Sequence, residues 1–178
     1  MGPGERFEAV YRACAGAVRA YVLRRARSDE VDDVVAEVFL VAWRRFDDVP
    51  EDPLPWLLGV GRRVLANRRR GHARELALHS KLRVLDAAVV SSEWPLADPD
   101  DRVLAALSGL SAFDQEVLLL VTWEGLEPAR AARVLGIRTG AFLMRLHRAR
   151  RRFARALAES PGTARSDAAS TDTQEVLR

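Results

Sequence analysis

Apolar residues recur at helical spacing along almost the whole chain, and no sustained two-residue alternation bounded by turn residues interrupts them. Spacings of three and four residues place apolar side chains on one face of an α-helix. A strand that buries one face alternates apolar and polar residues instead. The sequence therefore predicts an all-α protein.

Three helices are predicted in the first eighty residues. The first covers about residues 6–27 and buries Phe7, Val10, Cys14, Val18 and Tyr21. The second begins at Ser28, an N-cap residue followed by two acids that the helix dipole favours; its buried stripe is Val31, Val35, Val38, Ala42 and Phe46. Pro55 lies in the first turn of the third helix, after a proline-rich turn. We expect one small domain at residues 1–80.

A second helical domain is predicted at residues 102–159, after an acidic linker at residues 81–101. From Asp86 to Asp101 the chain has five acids, two prolines and no base. A short helix at about residues 102–107 comes next, followed by a helix that starts with a capping box of Ser111 and Asp114 and is closed by Gly125. Two more helices follow, at residues 128–136 and 139–158. The tail, residues 160–178, is small and polar, and we expect it to be disordered.

Charge is separated along the chain far more than the net charge of +3 indicates. Between Asp29 and Asp52 there are nine acids and two arginines. Residues 62–74 hold six arginines and residues 138–155 hold seven, and neither segment contains an acid. A GC-rich genome would explain the choice of arginine over lysine, but it does not explain the clustering.

The two helices at residues 128–136 and 139–158 have the length and the tight turn, Gly136-Ile137-Arg138, of a helix-turn-helix. In that motif the second helix enters the DNA major groove. Helical hairpins of this size also occur in proteins that bind no DNA. The acid-free arginine face favours DNA, because such a face repels itself unless an anion screens it.

The stretch WLLGVGRRVLANRRRGHAR places a basic stripe beside an apolar one. It is either a solvated helix end or a helix that tracks a phosphate backbone through Arg62, Arg63 and Arg70, with Asn67 available for a base edge. The residue spacing does not distinguish between these two interpretations.

The stretch VDDVVAEVFLVAWRRF places Asp33 and Glu37 one turn apart, away from the buried stripe. A solvated helix face is the simplest interpretation. A catalytic carboxylate pair would need a pocket, and both acids are expected to face solvent. Phe39 and Trp43 add more aromatic surface than a three-helix core needs, which indicates a patch that docks a protein.

Several classes of protein are excluded. The single cysteine and three scattered histidines give no metal-ligand spacing or disulfide framework. No phosphate-binding loop or nucleophile elbow occurs. We therefore expect no catalytic residue, metal or cofactor, and no enzyme. The longest uncharged stretch has eleven residues, too short to span a membrane, and the N-terminus is charged, so we expect a cytoplasmic protein without membrane insertion.

In order and spacing, five segments resemble the extracytoplasmic-function sigma factors of bacteria, over about residues 7–157. They are FEAVYRACAGAVRAYVLRR, DEVDDVVAEVFLVAWRRF, PWLLGVGRRVLANRRRG, LSAFDQEVLLLVTWEGLEPARAARVLGI and RLHRARRRFARAL. The resemblance implies a transcription initiation factor with two domains. Region 2 would bind core RNA polymerase at its β′ clamp and melt the minus-ten element, region 4 would contact the β flap and read the minus-thirty-five element, and the linker would thread toward the active centre. An anti-sigma factor is left open as a further partner.

The resemblance also assigns site residues. Those that would bind core polymerase are Asp32, Asp33, Glu37, Phe39 and Trp43. Those that would bind the minus-ten element, as a melted single strand, are Arg62, Arg63, Asn67, Arg68 and Arg70. Those that would bind the minus-thirty-five duplex are Arg138, Thr139, Leu143, Met144, Arg145 and Arg148.

The sequence departs from the family's pattern at four places. Ala36 replaces a usual glutamine, and Arg63 an asparagine, so the minus-ten preference is expected to be unusual. Leu143 and Met144 replace a polar pair in the recognition helix, so upstream specificity is expected to be low or based on DNA shape. Arg138 replaces a capping serine, which leaves Thr139 to cap the helix.

Two other functions are compatible with these residues. A free-standing helix-turn-helix repressor would bind duplex DNA tightly as a dimer without polymerase. A protein that sequesters a partner and has lost promoter activity would explain Ala36, Leu143 and Met144.

Overall fold

The computed structural model describes residues 2–80 and 101–159, and within those ranges it contains helices and turns but no strand. This confirms the all-α prediction. The helices are α1 (Pro3–Leu23), α2 (Val31–Arg44), α3 (Pro53–Ser80), α4 (Asp101–Ser108), α5 (Ala112–Thr122), α6 (Pro128–Leu135) and α7 (Thr139–Glu159). Short 3₁₀ turns lie at Ser28–Glu30 and Phe46–Asp48. The predicted tail and all of the predicted linker except Asp101 lie outside the described residues.

Helices α1, α2 and α3 pack against one another and form the first domain. Each contributes one apolar stripe, as the helical spacing predicts. The fully buried side chains at their centre are Val18, Tyr21, Val22, Val34, Val38, Leu57 and Leu58. Burying an aliphatic or aromatic side chain of this size contributes about 1.5 to 3 kcal/mol each, so this core stabilises the domain.

The junction between α1 and α2 differs from the prediction. Helix α1 ends at Leu23, because the amides of Arg25 and Ala26 both donate to the carbonyl of Val22 and turn the chain. Ser28 starts a 3₁₀ turn and does not cap α2, whose N-cap position is Glu30. The predicted N-cap at Ser28 is therefore wrong, and the turn carries Arg25 inward, where it is buried.

Helices α4, α5 and α6 pack on α7 and form the second domain. The Ser111 hydroxyl accepts a hydrogen bond from the Asp114 amide at 3.1 Å, which confirms the predicted N-cap. Gly136 ends α6 in the left-handed conformation, with φ of 66°, as expected of a glycine that closes a helix. The amide of Phe142 donates to the carbonyl of Arg138 at 3.0 Å. Arg138 is thus the residue before α7, and Thr139 is the first helical residue and not the cap.

The two domains contact each other through α3 and α6. The closest approach is at Gly59 of α3, where a Cβ atom would lie 3.2 Å from the carbonyl oxygen of Val134 in α6. Only a residue without a side chain lets the two backbones come so near without displacing one of them. The buried apolar residues of both domains consequently form one continuous cluster.

Candidate nucleic-acid interface and docking patch

The outer face of α7 is an exposed basic surface. Phe142, Leu146 and Ala149 are buried against the rest of the domain and fix the rotation of the helix about its axis. This rotation leaves six predicted duplex-binding residues exposed: Arg138, Thr139, Leu143, Met144, Arg145 and Arg148. The structure therefore leaves the whole predicted set accessible to solvent.

Most of the arginines on this face form no ion pair with a carboxylate of the described residues. Within residues 2–80 and 101–159, Arg138, Arg145 and Arg148 form no ion pair with a carboxylate, whereas Arg152 binds the buried Asp114. The guanidinium of Arg145 lies 4.6 Å from the centre of the Phe113 ring, a cation–π contact that orients it while leaving it exposed. The face thus offers unpaired guanidinium groups to an anion.

The predicted minus-ten residues lie on α3, and the structure engages some of them internally. Arg68 forms an ion pair with Glu37 at 3.1 Å, and the side-chain Oδ1 atom of Asn67 accepts a hydrogen bond from Arg70. The Nε atom of Arg63 donates to the carbonyl of Gly59 at 3.1 Å. Arg63, Asn67 and Arg70 remain exposed, and Arg62 is half-buried.

The predicted docking patch on α2 is partly corrected by the structure. Phe39 is buried, because it lies on the α2 stripe that faces α1, and its ring packs edge-on against Phe7 and Tyr11 at 6.5 and 4.7 Å between ring centres. Trp43 is 52% exposed beside it. Phe39 therefore supports the patch from below, while Trp43 forms its surface.

The carboxylates of the patch differ in their surroundings. Asp33 is exposed and forms no ion pair within the described ranges. Asp32 is paired with Arg19, and Glu37 is half-exposed and paired with Arg68. Asp33 thus faces solvent as expected, whereas Glu37 is only partly exposed because it also contacts Arg68.

Sequence reasoning missed two exposed apolar residues in this patch, Tyr11 and Leu40, each 45% exposed. Leu40 lies three positions from both Glu37 and Trp43, so the helical spacing could have placed it on their face. Tyr11 comes from α1, and only the packing of α1 on α2 brings it there.

A second feature that sequence reasoning missed is a charged cluster between the domains. Arg25 donates to Glu116 and to Glu124, at 2.8 Å in each case, and its guanidinium lies 3.7 Å from the centre of the Tyr21 ring. Tyr21 donates to Glu116 at 2.8 Å, and Arg24 pairs with Glu124. We call these five residues the charged cluster.

Burial and charge perturb the pKa values of the cluster. Burial, followed by the adjacent Glu116 carboxylate, raises the pKa of Tyr21 well above its usual range. Burial acts to lower the pKa of Arg25, but Tyr21, Glu116 and Glu124 outweigh it, and the pKa is raised. The tyrosine therefore stays neutral and the arginine charged.

A second ion pair between the domains lies just before α3. Asp52 accepts hydrogen bonds from Arg130 at 2.7 and 3.0 Å and also pairs with Arg133, both on α6. The Arg130 hydrogen bond, aided by Arg133, lowers the pKa of Asp52. The thiol of Cys14 is buried nearby, and burial followed by the charge of Asp52 raises its pKa.

Two further observations hold for the described residues. No group of three or more histidine, cysteine or acidic residues in these ranges is placed to hold a metal ion. None of the helices in these ranges combines the length and the hydropathy that a membrane span requires.

The fold and its surfaces define a class. A helix-turn-helix whose second helix exposes unpaired arginines, joined to a three-helix domain with an acidic and aromatic patch, is typical of a DNA-binding protein that also docks on another protein.

Comparison with known proteins identifies the family. Residues 10–75 match sigma-70 region 2, and residues 100–153 match sigma-70 region 4. The chain belongs to the sigma-70 family, among the ECF RNA polymerase sigma factors, and is a transcription initiation factor. The members of this family are transcription factors, not enzymes.

Individual relatives agree with this assignment. The RNA polymerase sigma factor NccH of Alcaligenes xylosoxydans xylosoxydans is 28% identical over 151 residues, which cover 78% of this chain and 77% of NccH. The ECF RNA polymerase sigma factor BldN of Streptomyces coelicolor is 29% identical over 88% of this chain, which spans 62% of BldN. The fold resembles that of the sigma factor RpoE of Bartonella quintana, solved in complex with the anti-sigma factor NepR, with a TM-score of 0.65 at 23% identity over 88% of this chain and 99% of that one.

Proposed function

We propose that this sigma factor binds core RNA polymerase and directs it to promoters, where the first domain recognises and melts the minus-ten element and the second binds the minus-thirty-five element. The observation that carries the proposal is the face of α7, where Arg138, Arg145 and Arg148 are exposed and unpaired within the described ranges. A helix with such a face, held by a helix-turn-helix, fits the major groove. We propose residues 1–80 and 102–159 as the two functional domains.

The patch on α2 is the proposed contact with the β′ clamp of polymerase. Its components are an unpaired carboxylate, Asp33, and apolar side chains exposed around it, Leu40, Trp43 and Tyr11. Exposed aromatic side chains supply most of the energy of a protein interface, while charges at the rim steer the encounter. Phe39 contributes by holding the aromatic surface in place.

The exposed side chains of α3 are the proposed minus-ten contacts. Arg63, Asn67 and Arg70 can hold the backbone and base edges of one melted strand, and no catalytic group is needed for this. Arg68 is bound to Glu37, so we assign it to the link between the DNA-binding and polymerase-binding surfaces.

The upstream contacts are proposed to be only weakly sequence-specific. Leu143 and Met144 are 48% and 60% exposed at the position where α7 would meet base edges. Each can contact a thymine methyl group, but neither can form the bidentate hydrogen bonds that discriminate bases by about 1 to 3 kcal/mol. Region 4 would therefore position the factor mainly through phosphate contacts and DNA shape.

We also propose that the protein is cytoplasmic, where core polymerase works, and that an anti-sigma factor controls it. The structure of RpoE was solved with such a factor, which supports this kind of regulation.

In vitro transcription with core polymerase on a library of genomic promoters tests the proposal. We expect specific transcripts from the unsubstituted chain and a loss of polymerase affinity in Asp33→Ala. Asp29→Ala is the matched control, because Asp29 is also an exposed acid but pairs with Arg27 outside the patch. Glu37→Ala is less suitable alone, because it also releases Arg68.

The outcomes separate the alternatives. Intact polymerase binding without a specific transcript from any promoter would favour a protein that sequesters a partner. A tight, specific complex of a dimer with duplex DNA in the absence of polymerase would favour a free-standing repressor.

A further inference from the structure

Two large apolar side chains of the second domain stay exposed among the described residues, and they are neighbours in the chain. Leu143 is 48% exposed and Met144 is 60% exposed, both on α7. The other exposed large apolar side chains of the described residues all lie in the first domain. The core does not need the pair, because Phe142, Leu146 and Ala149 already bury the inner side of the helix. The two side chains are therefore available to a ligand.

Helical spacing places the pair near the start of α7, on a side that faces away from the domain. Gly140, Leu143 and Met144 are related by steps of three and four positions, so they share one face of the helix. Apart from the chain neighbours of Gly140 and the helix backbone, no atom lies within 4 Å of the position that a Cβ atom would take there, so the space over this face is open. In a helix-turn-helix, the N-terminal part of the second helix is the part that meets base edges. A major groove that α7 enters therefore meets Leu143 and Met144.

The charges near the pair favour duplex DNA as the occupant of this face. Arg138, Arg145 and Arg148 are exposed, and none of them forms an ion pair with a carboxylate of the described residues. The guanidinium of Arg145 is also oriented by the Phe113 ring, at 4.6 Å from the ring centre. The phosphates that border a groove supply anions for such guanidiniums, while the floor of the groove supplies base edges. Unpaired cations and uncharged apolar side chains on the same part of α7 thus fit the two components of one groove.

The chemistry of the pair selects one group on the groove floor. Leucine has no polar side-chain atom, and the thioether of methionine is only a weak acceptor, so neither reads the hydrogen-bonding pattern of a base pair. The apolar group that the major groove presents is the C5-methyl group of thymine. Consecutive helical residues lie about 1.5 Å apart along the axis and point about 100° apart, so the two side chains reach different places on the floor. Up to two methyl groups can be covered at once.

We propose that Leu143 and Met144 read C5-methyl groups in the major groove. The second domain then prefers duplexes whose pyrimidines carry this methyl group, thymine or 5-methylcytosine, over duplexes with uracil or unmethylated cytosine. This inference rests on the proposed function, because it names what the second domain recognises in the upstream element. The apolar contribution of one methyl-sized group corresponds to about a fourfold gain in affinity, and that of two to about fifteenfold. The preference adds to the phosphate contacts and remains modest.

Duplexes that differ only in the methyl group test the inference with the full-length chain. The probes are two pairs of alternating duplexes of equal length: A·T against A·U, and G·5-methyl-C against G·C. Affinity is measured by fluorescence anisotropy over a range of salt concentrations. We expect the methylated member of each pair to bind about four- to fifteenfold more tightly. This ratio should not depend on salt, because both members carry the same phosphates, whereas each affinity should fall as salt rises.

Three variants assign the preference to the pair. Leu143→Ala with Met144→Ala removes the apolar contacts and keeps good helix formers, so the two members of each pair should bind equally. Leu143→Met with Met144→Leu keeps both side chains apolar and should retain the preference. Leu23→Ala is the control, because Leu23 is 41% exposed but lies in the first domain, and it should leave the ratio unchanged. Thermal unfolding checks that each variant is folded.

Equal binding of both members by the unsubstituted chain would overturn the inference and leave the proposed function to its own test by transcription. A preference that survives in the double alanine variant would also overturn it, because the shape of the methylated duplex would then be what is read. If the double alanine variant instead loses affinity for core polymerase and the unsubstituted chain shows no methyl preference, the pair contacts a protein and not DNA. If none of the duplexes binds at low salt, the inference and the proposed role of the second domain in DNA binding are both wrong.

Discussion

The Nε atom of Arg25 lies 2.8 Å from a carboxylate oxygen of Glu116, ninety-one positions further along the chain and in the other domain. The second carboxylate oxygen of Glu116 accepts a hydrogen bond from Tyr21. Glu116 of α5 therefore binds both Tyr21 of α1 and Arg25 in the turn that follows α1. The packing of the two domains of the sigma factor therefore involves contacts of Glu116 that the second domain cannot form by itself.

Replacing Glu116 by glutamine should destabilise the protein. A glutamine can still accept from Tyr21, but it removes a charge from a buried arginine, and a hydrogen bond to a charged group contributes about 1.5 to 3 kcal/mol. We expect the free energy of unfolding, measured in urea, to fall by this amount. Glu51→Gln is the control, because Glu51 is exposed and forms no ion pair within the described ranges. Equal effects of the two substitutions would show that the interdomain contact is not formed in solution.

Alanine at Gly59 and at Gly61 should have opposite effects. Alanine in the middle of a helix is favoured over glycine by about 0.5 to 1 kcal/mol. At Gly61 a Cβ atom meets only ordinary contacts, at 3.6 Å from Tyr21 and Val38, so stability should rise. At Gly59 it meets the Val134 carbonyl at 3.2 Å, so the gain should be lost and the domains should separate more readily. Thermal unfolding and scattering measure the two effects, and a stable, still compact Gly59→Ala would contradict the close contact of α3 with α6.

Arg148 and Arg152 should differ although both belong to the basic block of α7. Arg148→Ala removes an exposed guanidinium that has no ion pair within the described ranges, so duplex affinity should fall and the slope of log affinity against log salt should decrease by about 1. Arg152→Ala strips the buried Asp114 of its cation, so its main effect should be on stability. Salt titrations of duplex binding and urea unfolding of both variants distinguish these outcomes. The assignment of the DNA-binding face is wrong if Arg148→Ala leaves the salt slope unchanged.

Trp43→Ala should weaken polymerase binding by about 2 kcal/mol or more, as expected when an exposed aromatic residue at the centre of an interface is truncated. Its ring also packs edge-on against Phe7 at 5.0 Å, so a loss of stability of about 1 kcal/mol should accompany the change. Leu23→Ala is the control, because Leu23 is 41% exposed but lies outside the patch. Polymerase affinity measured by fluorescence anisotropy should change for Trp43→Ala alone.

Acid should remove the contribution of Asp52. Its pKa is lowered from the usual 3.8, first by the hydrogen bond from Arg130, so the stabilisation is fully present above the unfolded-state pKa. It is lost as the pH falls through the lower, folded-state pKa. The difference in unfolding free energy between the unsubstituted chain and Asp52→Asn should be constant near neutral pH and should shrink below about pH 3.8. If this free-energy difference instead grows as the pH falls, folding does not lower the pKa of Asp52 as assigned here.

The elements whose signals are local in sequence were predictable. Helical spacing located the helices, Ser111 and Gly136 marked two of their ends, and the rotation of α7 followed from Phe142, Leu146 and Ala149. The predicted start of α2 was wrong. Ser28 is a good N-cap residue in isolation, but after the turn at Arg25 it begins a 3₁₀ turn instead of the helix. Phe39 and Trp43 lie four positions apart on one helix, and only the position of α1 decides which of them is buried.

The contact between the domains was not predictable from the same signals. Arg25 stands among Arg24 and Arg27, and nothing local distinguishes the one arginine that is buried. Gly59 and Gly61 are two positions apart and look alike in sequence, but only Gly59 meets another backbone. Such contacts depend on residues far apart in the chain.

The placement of Cys14 beside the Asp52 and Arg130 pair gives the molecule a native reporter. Its sulfur is shielded and its thiolate disfavoured while α1 is covered, so an alkylating reagent should modify it only during excursions that uncover that side of the helix. The rate at which Cys14 of the unsubstituted chain is alkylated then measures how often that side of α1 becomes uncovered.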